Sequence, residues 1–196
     1  MNPAATCRVV ETESEREAAR RIVRHLYELQ GYDMSSKSFE RYLAGPSATT
    51  FGLFEGDTLY GTISLIRDSV EGLPMDTIYR AELAALRLQG KKLAEVVQFA
   101  VDHEIYTTLT GKKPSPFEAA PLFAAVLSYA LATSIDYLCI SINPKHDRFY
   151  SLLGFTQIGE EKQYDSVGAP AIARVLSVEA AQTNPLIAQF LTAQKH

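Results

Sequence analysis

The chain has 196 residues, of which 46% are hydrophobic and 21% charged, so it is long enough to bury a core and has an ordinary globular composition. Its net charge of −4 argues against a general affinity for nucleic acid, and two cysteines are too few for a disulfide framework. No apolar run reaches the roughly 20 residues that cross a bilayer, and the N-terminus lacks the apolar segment of a signal peptide, which favours the cytoplasm.

The first half of the chain predicts helices around a hairpin. An apolar stripe at helical spacing marks the first helix, with Ser14 and Glu17 at capping-box spacing and Gly31 at its end. Two β-rich runs on either side of a Glu-Gly-Asp turn predict the hairpin. The predicted elements are helices at Glu13–Gln30, Ser36–Leu43 and Asp76–Gln89, and strands at Thr50–Phe54 and Thr58–Ile66.

The second half predicts a buried strand, a helix, a second strand and a closing antiparallel pair. Serine, proline and glutamate at Ser115–Glu118 are typical of a helix start, and Pro185 is expected to break the last helix. The other predictions are strands at Leu93–Val101, Tyr137–Ile142, Phe155–Tyr164 and Pro170–Ser177, and helices at Lys145–Leu153 and Val178–Lys195. This order indicates one α+β domain, 1–196, with a central strand–helix–strand unit whose strands are parallel and a helical extension from about Val178.

Glu95 is a carboxylate inside an apolar strand. Simple alternation places it on the same face as Val97, Phe99 and Val101. Such a group is costly to bury unless it is paired with a cation or used chemically. One alternative is therefore a salt bridge to a neighbouring arginine or lysine. The other is a general base, because burial raises a carboxylate pKa and an amine with a pKa of about 8 must lose a proton before it attacks a carbonyl.

Two further segments could carry chemistry. Lys112 and Lys113 precede the helix start predicted at Ser115, so the segment is either a phosphate site at a helix N-terminus or a solvated basic loop. Tyr150 follows the strand that ends before Asn143, and its phenol is either a packing group or the acid that protonates a departing thiolate.

Other candidates in the sequence are weaker. His103 directly follows the central strand and is a second candidate for a base. Lys145 and Arg148 indicate a solvated face or a docking patch for an acidic partner. No spacing of histidines, cysteines and carboxylates predicts a metal site.

These motifs together resemble the GNAT (Gcn5-related N-acetyltransferase) superfamily. The resemblance is carried by FGLFEGDTLYGTISLI, by LAEVVQFAVD and by NPKHDRFYSLLGF, in which Asn143, Tyr150, Gly154 and Phe155 match the signature N-x6-Y-x3-GF. It implies a mixed, mostly antiparallel sheet with helices on both faces and a central parallel strand pair that splays apart. It also implies that a thioester donor enters the splay and that Tyr150 protonates the leaving thiolate.

A narrower resemblance links the chain to the long-chain N-acyl amino acid synthases, relatives of the acyl-homoserine-lactone synthases. It is carried by SLIRDSVEGLPMDTIYRAELAALRLQGKKLAEVVQFAVD and by QYDSVGAPAIARVL. It implies an acyl carrier protein as donor, whose phosphopantetheine arm binds the backbone of Phe99, Ala100 and Val101. Glu95 would assist deprotonation of the amine. No cofactor would be permanently bound.

The sequence departs from these families at two points. The GNAT pyrophosphate signature is absent after Val101, which favours a carrier protein over coenzyme A as donor. Gln98 stands where the synthases usually have an arginine, so an amide is expected to contact the amine substrate.

Three functions remain open on the sequence alone. The first is transfer of an acyl chain from a carrier protein or coenzyme A to the amine of an amino acid or a similar small molecule, by direct attack. The second is acetyl transfer from coenzyme A to a small amine. The third is a module that binds acyl groups or carrier protein without turnover.

Overall fold

Seven strands form one mixed sheet in the computed structural model, which describes residues 6–34, 40–115, 117–165 and 168–193. The strand order is β1-β2-β3-β4-β5-β7-β6, and each neighbouring pair is antiparallel except β4 and β5. The strands are β1 Thr6–Val9, β2 Ala48–Glu55, β3 Thr58–Arg67, β4 Leu93–Val101, β5 Tyr137–Ile142, β6 Thr156–Tyr164 and β7 Ala169–Ser177.

Helices cover both faces of this sheet. In the described residues they are α1 Glu13–Leu29, α2 Glu40–Leu43, α3 Asp76–Leu88, α4 His103–Thr110, α5 Ala120–Ala132, α6 Asp147–Leu152, α7 Val178–Ala181 and α8 Pro185–Ala193. The buried side chains of α5 pack on one face of β3, β4 and β5. Those of α1 and α3 pack on the other face, α1 nearer β3 and α3 nearer β6.

Most of the predicted elements are confirmed. The central strand Leu93–Val101 and the strand Tyr137–Ile142 have the predicted bounds, and they are parallel. The hairpin strands are each slightly longer than predicted. The final helix is broken before Pro185, as expected from the ring at that position. Residues 36–39 of the predicted second helix and 194–195 of the last helix lie outside the described residues.

The predicted cap of the first helix is wrong by two residues. The Thr12 hydroxyl accepts the Glu15 N–H at 3.2 Å, and the Glu15 carboxylate accepts the Thr12 N–H at 3.0 Å. Both Thr12–Glu15 and Ser14–Glu17 have capping-box spacing. Glu15 also binds Arg8 of β1 and the Glu11 N–H, so long-range contacts select the earlier pair.

Two elements were missed. The edge strand β1 has only four residues, too few for an alternating pattern. Helix α4 had readable end signals, because the Asp102 carboxylate accepts the N–H groups of Glu104 and Ile105 at 3.0 and 2.9 Å and Gly111 ends the helix at a φ of 69°.

Candidate active site

The central parallel strands separate partway along their length. They pair at Leu93–Tyr137, Ala94–Leu138 and Glu95–Cys139, and at no later position in the described residues. Beyond that point β4 continues to Val101, while β5 keeps pairing with β7 on its other side. The predicted splay is therefore confirmed, and the facing backbone N–H and C=O groups of β4 and β5 do not satisfy each other.

A β-bulge at Gln98 reverses the alternation of side chains in β4. The pairing with β3 passes from Ser64–Val97 to Thr62–Ala100, so β4 has one extra residue there, and Gln98 has a φ of 53°. The prediction that Phe99 and Val101 share a face with Glu95 is therefore wrong. They pack on the α5 face instead, while Val97 and Ala100 lie on the opposite face.

An apolar cavity of about 30 Å³ lies on the α5 face beside the splay. Its lining has no charged side chain and consists of Val96, Phe123, Ala124, Val126, Leu127, Leu138, Ile140, Tyr150, Leu153, Phe155, Leu176 and Ile187. A row of rings runs from β4 across α5 to α6: the centroids of Phe99 and Phe123 are 5.0 Å apart, and those of Phe123 and Phe149 are 5.7 Å apart. The space next to the splay is therefore apolar and largely filled by aromatic side chains.

Glu95 lies at the apex of the splay and is 1% exposed. Its Oε2 accepts the Met75 N–H at 2.8 Å, and none of the ion pairs among the described residues includes it. The salt-bridge alternative is therefore wrong. Burial is the main reason why the pKa of Glu95 is raised to about 8, and the negative charge of Asp76 adds to the rise. The hydrogen bond from the Met75 N–H acts in the opposite direction and lowers the pKa. The carboxylate belongs to the α3 face, so β4 separates it from the apolar cavity.

Tyr150 lies on α6 and lines the cavity. Its ring contacts those of Phe149 and Phe155 at 5.1 and 5.7 Å, and burial raises the pKa of its phenol. The turn before α6 is the predicted one, because the Asn143 side chain accepts the Lys145 N–H at 3.1 Å. The phenol therefore stays protonated and faces apolar surroundings.

Arg174 of β7 ties helix α6 to the sheet. It donates to Asp147 Oδ1 and to the Phe155 carbonyl, each at 2.6 Å. These bonds join both ends of the segment that carries Tyr150 to the sheet.

The helix start predicted at Ser115 is wrong. Helix α5 begins at Ala120, with Pro121 in its first turn, while the Ser115 hydroxyl accepts the Phe117 N–H at 3.1 Å in the preceding turn. The Glu118 carboxylate lies two residues before the helix and accepts the Tyr60 hydroxyl at 2.9 Å. An acidic group near a helix N-terminus already complements the dipole there, which works against a phosphate site at that terminus.

The basic side chains predicted as candidates lie in the loop after α4 and in the turn and helix after β5. Lys112 and Lys113 are exposed in the loop that joins α4 to α5, and Arg148 is exposed on α6. Lys145 is engaged, because its Nζ donates to Gln30 Oε1 at 2.8 Å and lies 5.1 Å from the Tyr32 ring centre. His103 is exposed at the start of α4. The structure therefore leaves Lys112, Lys113 and Arg148 exposed.

Sequence reasoning missed the residues that cover the splay on the α1 side. The Tyr27 hydroxyl donates to the Phe99 carbonyl at 3.4 Å, and Gln30 at the end of α1 holds Lys145 of the turn after β5. These contacts join positions 72 and 115 residues apart, so no local pattern indicates them.

Two buried hydroxyl groups, one on β3 and one on β5, were also missed. The Oγ1 of Thr62 and the Oγ of Ser141 have no hydrogen-bond partner among the described residues. Thr62 pairs with Ala100, and Ser141 lies in the part of β5 that no longer pairs with β4. Their only sequence signal is a hydroxyl residue within an apolar strand.

Neither a metal site nor a membrane span is found in the part of the chain that the structure describes. No group of three histidine, cysteine or carboxylate side chains there could hold a metal ion. No helix among those residues has both the length and the apolar character needed to cross a bilayer.

Comparison with known proteins gives a family and a fold. The family model of the N-acyl amino acid synthase FeeM matches residues 18–177. The structure of FeeM, an N-acyl amino acid synthase from uncultured soil microbes, is 64% identical, has a TM-score of 0.91, and is matched over 96% of this chain and 99% of that chain. Comparison with curated protein sequences gives no significant match.

More distant structures share the fold alone. An N-acetyltransferase from Staphylococcus aureus Mu50 has 17% identity and a TM-score of 0.57, over 90% of this chain and 99% of that one. An acyl-CoA N-acyltransferase from Pseudomonas aeruginosa has 12% identity and a TM-score of 0.60, over 89% and 99%. The predicted GNAT fold is therefore confirmed.

Proposed function

The chain belongs to the FeeM family of N-acyl amino acid synthases and is an acyltransferase, and we propose that it transfers a medium or long acyl chain from an acyl carrier protein to the amine of an amino acid or a similar small molecule. The observation that carries the proposal is the splay beyond Glu95–Cys139, with an apolar cavity beside it. The splay gives a thioester arm two rows of backbone groups that do not pair with each other, and the cavity gives an acyl chain an apolar path.

The acyl chain enters the cavity by displacing aromatic rings. A volume of about 30 Å³ is close to the share of one water molecule in the liquid, far too little for a long chain. Phe99 and Phe123 are half-buried, and Phe149 is 39% exposed, so these rings can turn outward more cheaply than the fully buried aliphatic lining. Burial of each methylene of the chain then contributes about 0.8 kcal/mol.

The reaction is a direct attack of the amine on the thioester carbonyl carbon. The C–N bond forms, the C–S bond breaks, and backbone N–H groups on the splay edge of β4 stabilise the oxyanion. Val101 is on that edge, because the next residue, Asp102, donates its N–H to the Tyr60 carbonyl of β3. The proton lost by the amine passes through a water to Glu95, which is buried too deeply for direct contact. The proton that the thiolate needs comes from Tyr150, so the products are an amide and a free thiol.

The side chain of Gln98 is proposed to contact the amine substrate. Gln98 is half-buried at the bulge, in the part of β4 that no longer pairs with β5. A neutral amide can both donate to a carboxylate and accept from an ammonium group. It therefore suits an amino acid without adding a charge beside Glu95.

Two features favour a carrier protein over coenzyme A. Glu118 precedes the N-terminus of α5, where a nucleotide diphosphate would meet its negative charge, and Ser115 does not cap that helix. Lys112, Lys113 and Arg148 are exposed, and their positive charge suits an acidic carrier. The phosphopantetheine arm has a single phosphate, so the exposed lysines suffice to bind it.

A donor and acceptor matrix tests the proposal. The purified chain is incubated with acyl carrier protein or coenzyme A, each loaded with short or long acyl chains, and with a panel of amino acids and simple amines. The expected result is an N-acyl amino acid, detected by mass spectrometry, formed faster from long-chain acyl carrier protein. Acetyl transfer from coenzyme A alone would replace this function by that of a small-amine acetyltransferase, and binding without product would indicate a non-catalytic module.

The Glu95→Gln variant tests the base. We expect turnover to fall by about 100-fold while the acylated carrier protein still binds, because the amide cannot take a proton. Unchanged turnover would remove Glu95 from the reaction and leave the donor assignment standing.

A further inference from the structure

We infer that Asp76 is a positioning residue for Glu95, because it fixes the loop whose Met75 N–H binds that carboxylate and places a negative charge near it. The inference deepens the proposed function and rests on it, since it takes Glu95 as the base. Asp76 begins α3, and the loop before it lies over the face of β4 that carries Glu95. The Met75 bond is the one hydrogen bond that the Glu95 carboxylate makes within the described residues.

Asp76 holds this loop from two sides. Its Oδ2 accepts the Leu73 N–H at 2.7 Å, which closes the turn directly before Met75. Arg87, one helix length away, donates to both carboxylate oxygens of Asp76, at 2.6 and 2.7 Å. The same guanidinium donates to both oxygens of Asp68, at 2.6 and 3.1 Å, so it ties the end of β3 to the start of α3.

The packing around this network leaves the loop little freedom. Leu73 and Met75 are fully buried, and Asp76 is 8% exposed. Gly72 has a φ of 76°, and a Cβ at that position would lie 2.5 Å from Asp76 Oδ2, so both its backbone conformation and its closeness to the carboxylate require glycine. The Met75 N–H is therefore directed at Glu95 by a chain of contacts that begins at Arg87.

Asp76 also sets the charge that Glu95 experiences. From β5, Cys139 faces Glu95 as a neutral thiol, because burial and the Glu95 charge both raise its pKa. Two tyrosines pack in the same cluster, and each uses its hydroxyl proton in a bond to a backbone carbonyl. The Tyr79 hydroxyl donates to the Ala171 carbonyl, and the Tyr164 hydroxyl donates to the Pro74 carbonyl.

From β3, the residue paired with Glu95 is the apolar Ile66. The charge acting on Glu95 is therefore that of the Asp68–Arg87–Asp76 group, which is net negative with Asp76 nearest.

The Asp76→Asn substitution separates these effects. The asparagine Oδ1 can still accept the Leu73 N–H, so the loop keeps this bond. The negative charge is lost, and so is the bond from Arg87 Nη1, because the amide NH2 group cannot accept it. Loss of that charge makes Glu95 easier to ionise. We expect the rising limb of kcat/KM against pH to move to lower pH by about one pH unit. The amine substrate is the same in both assays, so its own ionisation does not contribute to the difference.

Two further variants complete the test. Asp68→Asn removes the outer charge and leaves every loop contact of Asp76 in place, so we expect a smaller displacement in the same direction. Glu82→Gln removes one charge on the same helix, where Glu82 pairs with Lys162, and we expect the limb to stay in place. Thermal unfolding of each variant establishes that it is folded at the assay temperature.

The outcomes distinguish this inference from the proposed function. If the wild type is active, Glu95→Gln is inactive, and neither aspartate variant moves the limb, then Asp76 does not act on the ionisation of Glu95 and the inference is wrong. A limb that moves equally in Glu82→Gln would also overturn it. If the wild type forms no N-acyl product, the proposed function fails first, whatever the aspartate variants do.

Discussion

Glu95 and Cys139 are the last residues that pair β4 with β5, and beyond them the two parallel strands separate. The buried carboxylate thus lies at the apex of the opening and not along its walls. Its environment is set by the α3 face of the sheet, while the apolar cavity lies on the α5 face. An amine and an acyl chain approaching from opposite faces would meet where β4 bulges.

The first prediction concerns stability against pH in Glu95→Gln. The folded pKa of Glu95 is raised to about 8 from an ordinary value of 4.5, so the folded protein binds this proton more tightly than the unfolded chain. The contribution of Glu95 to the free energy of unfolding is therefore fully present below about pH 4.5 and is lost as the pH rises through 8.

Glutamine keeps the acceptor for Met75 and does not ionise. The variant should match the wild type near pH 5 and exceed it by on the order of a few kcal/mol near pH 9, measured by urea unfolding. A difference that does not change with pH would contradict the raised pKa.

The second prediction concerns the backbone at Gln98. A φ of 53° is tolerated by glycine and disfavoured for a β-branched residue. Gln98→Val should lower the free energy of unfolding by about 1–3 kcal/mol, and Gln98→Gly should change it by less than about 1 kcal/mol. If valine were as stable as glycine, the bulge would not have this conformation in solution.

The third prediction concerns the fit of the acyl chain. Ala124 is buried and lines the cavity, so Ala124→Val places two extra carbon atoms in the path of the chain. We expect kcat/KM for long-chain donors to fall about tenfold or more, with little change for short-chain donors. Ala125→Val adds the same volume on the same helix outside the cavity lining and serves as the control. Equal losses across all chain lengths would point to general overpacking.

The fourth prediction concerns the phenol of Tyr150. Phenylalanine keeps the ring contacts with Phe149 and Phe155, so Tyr150→Phe should melt at nearly the wild-type temperature. Without a proton donor for the thiolate, the rate constant measured in a single-turnover assay should fall roughly 100-fold. Tyr129→Phe on α5, whose ring packs against Phe51 on β2, is the matched control. Retention of full activity in Tyr150→Phe would assign the residue to packing alone.

Local patterns were sufficient for the elements that define the fold. The uninterrupted apolar run of β4, the Asn-Pro turn at Asn143 and the break before Pro185 each depend on residues within a few positions of one another. Capping signals were less decisive, because Thr12 and Ser14 both satisfy the same short pattern and contacts of Glu15 with β1 decide between them.

The environment of the site could not be predicted in the same way. The hydrogen bond between Met75 and Glu95 joins residues 20 positions apart, and the faces of Phe99 and Val101 depend on a register change against β3. The start of α5 also moved, because Glu118 is held by Tyr60, a residue 58 positions earlier. Each of these facts depends on which strands become neighbours, and a single strand does not contain that information.

One surplus residue in β4 leaves the layers of the core unchanged. A chain lacking Gln98 would still send Val97, Phe99, Ala100 and Val101 to their present layers, because uninterrupted alternation gives the same assignment once the extra position is gone. The effect of the extra position therefore falls on the backbone, where Gln98 has a φ of 53° in the part of β4 that no longer pairs with β5.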